Sequence, residues 1–214
     1  KRTYPLPAVD GVWLSVVQVA LFGLLCAAPA FILFSEKGPG SMHAPIIIAL
    51  IAGLVVGALC QKSRMCMVAG IRDLVLFKDW KLLLGFVTII VAALIGNLAT
   101  GNFNLGFSGQ PIAHSVHLWN FMGMLVVGLG SVLLGGCPLR QLILTGEGNT
   151  DSAVTVLGYI VGAAFAHNFG LAGAAATADS IGGPSTAGKA AVIIGLIVML
   201  VIAAVNTFKA KKNA

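Results

Sequence analysis

Two cysteine segments carry the residue types and spacings in this chain that could do chemistry. The first is Leu133-Leu134-Gly135-Gly136-Cys137-Pro138-Leu139-Arg140. Two adjacent glycines stop an incoming helix cheaply, since they carry no side chain and accept any backbone dihedral. Pro138 lacks a backbone donor but fits as the first residue of a new helix. Cys137 would then stand near a helix N-terminus, where exposed amides and the helix dipole favour negative charge or a bound anion. On this reading Cys137 should react faster than Cys26, which lies inside the first apolar run. The second segment is Lys62-Ser63-Arg64-Met65-Cys66-Met67-Val68-Ala69-Gly70-Ile71-Arg72-Asp73. There Arg64 and Arg72 would favour a thiolate at Cys66 if they lie close in space. A small core thiol is the plainer reading of either cysteine alone. Two of them, each beside a helix break and a cation, point to function.

Other polar groups are weighed against structural roles. Arg72-Asp73 lies in a short apolar segment, either as an anion-attracting arginine held by its neighbour or as a rim pair that anchors topology. His167-Asn168 reads as lying deep in an apolar run, where an ionisable group is a functional candidate or an interhelical hydrogen-bond donor. His43, His114 and His117 read as loop or interface residues, and Cys26 and Cys60 as packing thiols. Met65 and Met67 flank Cys66 with soft sulfur. Residues two apart on a helix diverge, so this trio cannot chelate one Cu(I) ion without unwinding. No His-x3-His, acidic cluster, Cys-x2-Cys, Ser-His-Asp set, Walker loop or dinucleotide fingerprint occurs. We therefore expect no metal, no cofactor and no enzymatic activity.

The elements that position these thiols follow from composition. The chain is 58% hydrophobic and 9% charged, with a mean hydropathy of +0.98. Globular domains carry about 25% charged residues, so this is a polytopic membrane protein. Its net charge of +6 is no nucleic-acid signal, because the cations cluster at the ends of apolar runs. Six such runs are expected, at about 12–34, 45–60, 82–100, 118–136, 153–176 and 189–208. A span needs roughly 20 residues. Segments 65–77 and 137–146 are too short and polar to cross and read as half-helices or re-entrant pieces. Alternating sides puts 11 of 13 Lys and Arg on one side, leaving Lys37 and Lys189 on the other. Both termini should then be cytoplasmic. Gly53-x3-Gly57 and Gly158-x3-Gly162 read as helix-packing stripes, and Gly148-Asn149-Thr150-Asp151 as loop, cap and first-turn acid.

A weak internal repeat runs through the chain. Residues 53–79 give a Gly-rich helix, Cys66, a short helix with Arg72, an acidic loop and a long run. Residues 128–151 repeat the order with Cys137, Arg140, Glu147 and Asp151. Paired interrupted helices are the usual sequence pointer to a transporter's binding site. The expected fold is thus all-α: a transmembrane helix bundle of about six spans, two short half-helices and a pseudo-repeat. Residues 1–214 would form a single transmembrane domain, part of a longer chain or one half of a larger transporter.

Met65-Cys66-Met67-Val68-Ala69-Gly70-Ile71-Arg72-Asp73 followed by a long run, with Gly135-Gly136-Cys137-Pro138-Leu139-Arg140 later, resembles the paired cysteine motifs of the YeeE/YedE membrane family. The likeness extends from about residue 45 to 176 and is closest to the selenium-associated YedE branch. It implies uptake of a sulfur or selenium anion such as thiosulfate, handed along by S–H to sulfur hydrogen bonds, with Cys66 and Cys137 as path cysteines. Family members usually carry a further half with another such cysteine, and this chain shows no third motif. The substrate path expected here comprises Cys66, Cys137, Arg72, Arg140 and His167. The expected partners are a soft anion, the lipid bilayer of the inner (plasma) membrane and a cytoplasmic sulfur or selenium carrier protein, with no nucleic acid. The competing reading is a membrane-embedded redox or sulfur-transfer subunit that uses the same two cysteines.

The charge partition gives a direct test. Reporter fusions after Lys81 and after Gly148 should both report the cytoplasm, and one after His114 should not. A signal from the outer side at Lys81 would overturn both the span count and the placement of Cys66.

Overall fold

A computed structural model describes residues 8–27, 44–106, 110, 113–177 and 179–212. Among the described residues eight helices follow one another: α1 (Ala8–Ala27), α2 (Ile46–Ser63), α3 (Met67–Phe77), α4 (Lys81–Ala99), α5 (His117–Leu134), α6 (Pro138–Gly146), α7 (Thr150–Asn168) and α8 (Thr186–Lys212). Six are long and two, α3 and α6, are short, which is the order that the apolar runs and their breakers predict. The end of the expected first run, residues 28–34, and His43 lie outside the described residues. Among the described residues, four helical stretches are long and apolar enough to cross a membrane: Ile46–Phe77, Lys81–Ala99, His117–Gly146 and Thr186–Phe208. Two of these include a cysteine break.

The helices pack as two compact units. One comprises residues 1–66 and 138–157, the other residues 67–137 and 158–214. In the first unit α6 packs on α2. In the second, α3 packs on α4 and α5, and α5 on α8. The approach of α3 to α4 depends on Gly70, where a Cβ would stand 3.2 Å from the Leu83 amide nitrogen. At the contact of α5 with α8, Gly130 meets the Met199 thioether.

What is buried differs from a water-soluble core. Among the described residues, the buried apolar ones are Cys60, Cys66, Cys137 and Ala153, and the buried polar ones are Ser131, Gln141, Thr145 and Ser152. Leucines, isoleucines and valines of the long helices point outward. In hydrocarbon that outward face costs nothing, whereas polar groups must be satisfied internally.

Both cysteine breaks are built alike. At the end of α2 the Met65 amide donates to the Cys60 carbonyl and the Arg64 amide to the Gln61 carbonyl. At the end of α5 the Gly136 amide donates to the Ser131 carbonyl and the Gly135 amide to that of Val132. Each is a Schellman turn, which satisfies the last carbonyls of one helix before the next begins. Its left-handed residue is Gly135 in one copy, at φ 78°, and Arg64 in the other, at φ 52°. Only the first can hold that conformation without steric cost. The linkers after the short helices correspond as well. Asp79 Oδ1 accepts from the Lys81 amide at the start of α4, and Asn149 Oδ1 from the Ser152 amide at the start of α7. The cap expected at Asn149 is thus present.

Two expectations change. The fifth apolar run does not continue to 176. α7 ends at Asn168 in a Schellman turn at Gly170, whose amide donates to the His167 carbonyl, while that of Leu171 donates to Ala166. Residues 171–177 and 179–185 then carry antiparallel bridges, Ala174–Gly183 and Thr177–Ser180. The Ala176 amide ties this loop to the Ala113 carbonyl. Among the described residues the Gly-x3-Gly stripes also make no close helix contact, since a Cβ at Gly53, Gly57, Gly158 or Gly162 would meet nothing within 4 Å.

The left-handed turns predict a stability pattern. Arg64→Gly should be more stable than Arg64→Ala by on the order of 1 kcal/mol, and Gly135→Ala less stable than the parent by a similar amount. Thermal unfolding of the detergent-solubilised protein reads both. Equal stability of the two Arg64 variants would contradict the turn geometry.

Candidate functional site

Aligning Cys66 with Cys137 also aligns Cys60 with Ser131, Arg64 with Gly135, Met65 with Gly136 and Met67 with Pro138. In both copies the cysteine is the single residue between a closed Schellman turn and the first residue of a short helix. Cys66 is 7% exposed and Cys137 3%. The chain passes from one compact unit to the other immediately after each. All four cysteines are reduced thiols. Cys26 is exposed and Cys137 is nearly sealed, so access favours Cys26 where the helix N-terminus favours Cys137.

The two arginines named with these cysteines are not equivalent. In the aligned register Arg140 falls on Ala69 and Arg72 on Ile143. Arg72 is 57% exposed, and its guanidinium lies 2.7 Å from the carboxylate of adjacent Asp73. That is a local pair at the surface of α3. Arg140 sits in the first turn of α6 with its side chain 19% exposed. Its Nη1 is closed to solvent, makes no hydrogen bond and lies 3.7 Å from Glu147 Oε1. An arginine stays protonated in any protein environment, so this is a permanent, largely buried positive charge with donor capacity to spare.

His167 is not deep in a span. It lies in the last turn of α7, where a basic residue complements the helix dipole, and it is exposed. Of the residues expected on one path, Cys66 and Arg140 belong to the first unit and Cys137, Arg72 and His167 to the second.

Sequence reading missed several groups. Among the described residues Gln141 is the most deeply buried large side chain, and Thr145, whose hydroxyl donates to the Gln141 carbonyl, is buried one turn later. Ser152 at the start of α7 is buried too. Tyr159 in α7 comes within electrostatic range of Cys137. The signal for the first two was present: Gln141 and Thr145 are four apart, a polar stripe on a helix in a chain that has few. The first unit also holds a groove of about 880 Å³, lined by Phe22 of α1, by Gly53, Gly57 and Gln61 of α2, and by Leu142 and Glu147 at α6.

The chemistry this permits is binding and release. A thiol is a weak, polarisable donor that can touch a soft sulfur atom without gripping it. First-turn amides and the Arg140 guanidinium are sources of positive potential. Access to the thiols is testable. In detergent, a small alkylating reagent should modify Cys26 first and Cys137 last, and thiosulfate should slow Cys66 and Cys137 without affecting Cys26. Equal labelling of all four, insensitive to thiosulfate, would deny the two thiols any special environment.

Comparison with known proteins fits this architecture. Residues 62–214, which include both cysteine breaks, match the family model described as sulphur transport. The chain is 28% identical over 120 residues to the thiosulfate transporter TsuA of Escherichia coli (strain K12), covering 56% of this chain and 34% of that protein. It is 30% identical over 122 residues to the thiosulfate transporter TsuA of Spirochaeta thermophila, covering 53% and 34%. The matched region thus spans about a third of the length of these curated relatives. No solved structure matches the chain. With the family model covering most of its length and both cysteine breaks inside the matched region, the chain belongs to the YeeE/YedE family of sulphur-transport membrane proteins.

Proposed function

We propose that this protein takes up thiosulfate, or a sulfur anion of the same kind, across the inner membrane, with six spans and both termini cytoplasmic. Cys66 and Cys137 act as successive thiol donors on the path, and Arg140 offers the charge that admits an oxyanion. The observation that carries this reading is the duplicated break, which places one buried cysteine in the same turn–thiol–helix setting twice. A packing thiol has no reason to recur in that setting.

The substrate class follows from complementarity. Thiosulfate presents a soft terminal sulfur and hard oxygens, matching a thiol at one end and amides with a guanidinium at the other. Conduction needs favourable binding that is weak enough for release. The exposed, neighbour-neutralised Arg72 and the exposed His167 are peripheral to this scheme. The named relatives are thiosulfate transporters. A cytoplasmic sulfur carrier protein would take the anion on arrival. A selenium anion shares the soft atom and is the substrate to set beside thiosulfate.

Uptake of radiolabelled sulfur and selenium anions by cells making the full-length protein tests this. Cys66→Ala and Cys137→Ala should each cut thiosulfate uptake at least tenfold with normal membrane insertion, because a lost hydrogen bond costs on the order of 1 kcal/mol at each of several steps in series. Cys26→Ala and Cys60→Ala should leave it unchanged. Parent-rate uptake by both Cys66→Ala and Cys137→Ala would refute the thiol path.

A further inference from the structure

Arg140 and Glu147 stand two helical turns apart on one face of α6 and just beyond it. Their closest approach, 3.7 Å, is well outside the roughly 2.7–2.9 Å of a charge-assisted hydrogen bond. Arg140 therefore has a neighbouring countercharge but a sealed nitrogen whose hydrogens are unused. An ion pair built only for stability would close that gap, because a buried donor left unmade costs more than a typical bond gains. The carboxylate is also poorly placed for a permanent strut. It follows the C-terminus of α6, the negative end of the helix dipole, where an anion is disfavoured. Its side chain is one-third exposed, and among the described residues it is the one charged residue lining the groove between α1, α2 and α6. Gly146 and Gly148 flank it, and the space beside them is open. The side chain has somewhere to go.

We propose that Glu147 is an internal competitor for Arg140: its carboxylate holds the guanidinium when no substrate is present, and an incoming oxyanion displaces it toward the groove. This rests on the reading that Arg140 lies on the substrate path. Exchanging one anion for another keeps the buried cation paired throughout, so no step leaves an uncompensated charge in a low-dielectric site. It also sets the grip. A dianion that takes Arg140 meets repulsion from the carboxylate it displaced, and the returning carboxylate drives release. Glu147 thus tunes affinity against turnover without touching the transported sulfur.

The test compares Glu147→Gln and Arg140→Gln in the full-length protein, by radiolabelled thiosulfate uptake and by thiosulfate-induced thermal stabilisation in detergent. Glu147→Gln removes the competing charge while keeping size and hydrogen-bonding capacity. It should lower KM about tenfold, deepen the thermal stabilisation by thiosulfate and slow maximal uptake. An unchanged or raised KM with Glu147→Gln would overturn the inference, the pair then being structural. Should Glu147→Gln fail to insert, Glu147→Asp, whose shorter arm reaches Arg140 less well, must lower KM in the same direction, and a KM equal to the parent's refutes the proposal. Arg140→Gln separates the two readings. A raised KM in Arg140→Gln with no fall in Glu147→Gln overturns only the competitor role. An unchanged KM in Arg140→Gln removes Arg140 from the path, and both fall.

Discussion

A helix that stops and restarts where no water is available must bond its own freed peptide groups, and the rest of this structure depends on how it does so. Unsatisfied backbone groups in hydrocarbon cost several kcal/mol each. Each cysteine break meets that demand locally, with two hydrogen bonds of a Schellman turn. Because the turn closes on its own helix, the last carbonyls of that helix are satisfied before the residue that follows. In both copies that residue is a cysteine. The short helix that begins next then packs within its own unit, α6 on α2 in one and α3 on α4 and α5 in the other.

The distribution of burial follows from the same constraint. With lipid as solvent, the long aliphatic side chains belong outside, and among the described residues the protected positions go to thiols, hydroxyls, one amide and the small Ala153. Cys66 and Cys137 are thus among the best-shielded side chains in the molecule, along with Gln141, Thr145 and Ser131. A shielded thiol is a better hydrogen-bond donor to a soft anion than one in water, which would compete for it. In the proposed scheme the positive charge is kept apart from the thiols' role: Arg140 would attract, the cysteines guide, and Glu147 limit how long the attraction lasts.

Much of this was legible in the sequence because membrane segments have strong punctuation. Gly135-Gly136-Cys137-Pro138 announces both the end of α5 and the start of α6, and the spans' lengths are bounded by bilayer thickness. The short helices at 67–77 and 138–146 fall within about two residues of the expected segments. Other features needed three dimensions. The true end of α7 was hidden because Leu171 and the alanines after it are as apolar as a span, while Gly170 alone carries the stop. The repeat was visible as an order of residues, but its register was not. Only the matched turns show that Arg140 corresponds to Ala69, so that the two arginines play different parts. The Arg140–Glu147 relation escaped notice because Gly146-Glu147-Gly148 reads simply as a turn. The contrast in burial between Cys26 and Cys137 is likewise a feature that no local pattern encodes.

The central claim is that a transported sulfur anion touches both duplicated thiols. A structure of the full-length protein determined with thiosulfate, or with selenosulfate as a heavier analogue whose selenium marks the soft atom, tests it most directly. The account predicts that the soft atom lies in hydrogen-bond contact with the Cys66 or Cys137 sulfur, with the oxygens toward helix amides or Arg140. Density for the anion with its soft atom away from both thiols, or along a route that neither cysteine lines, would contradict it.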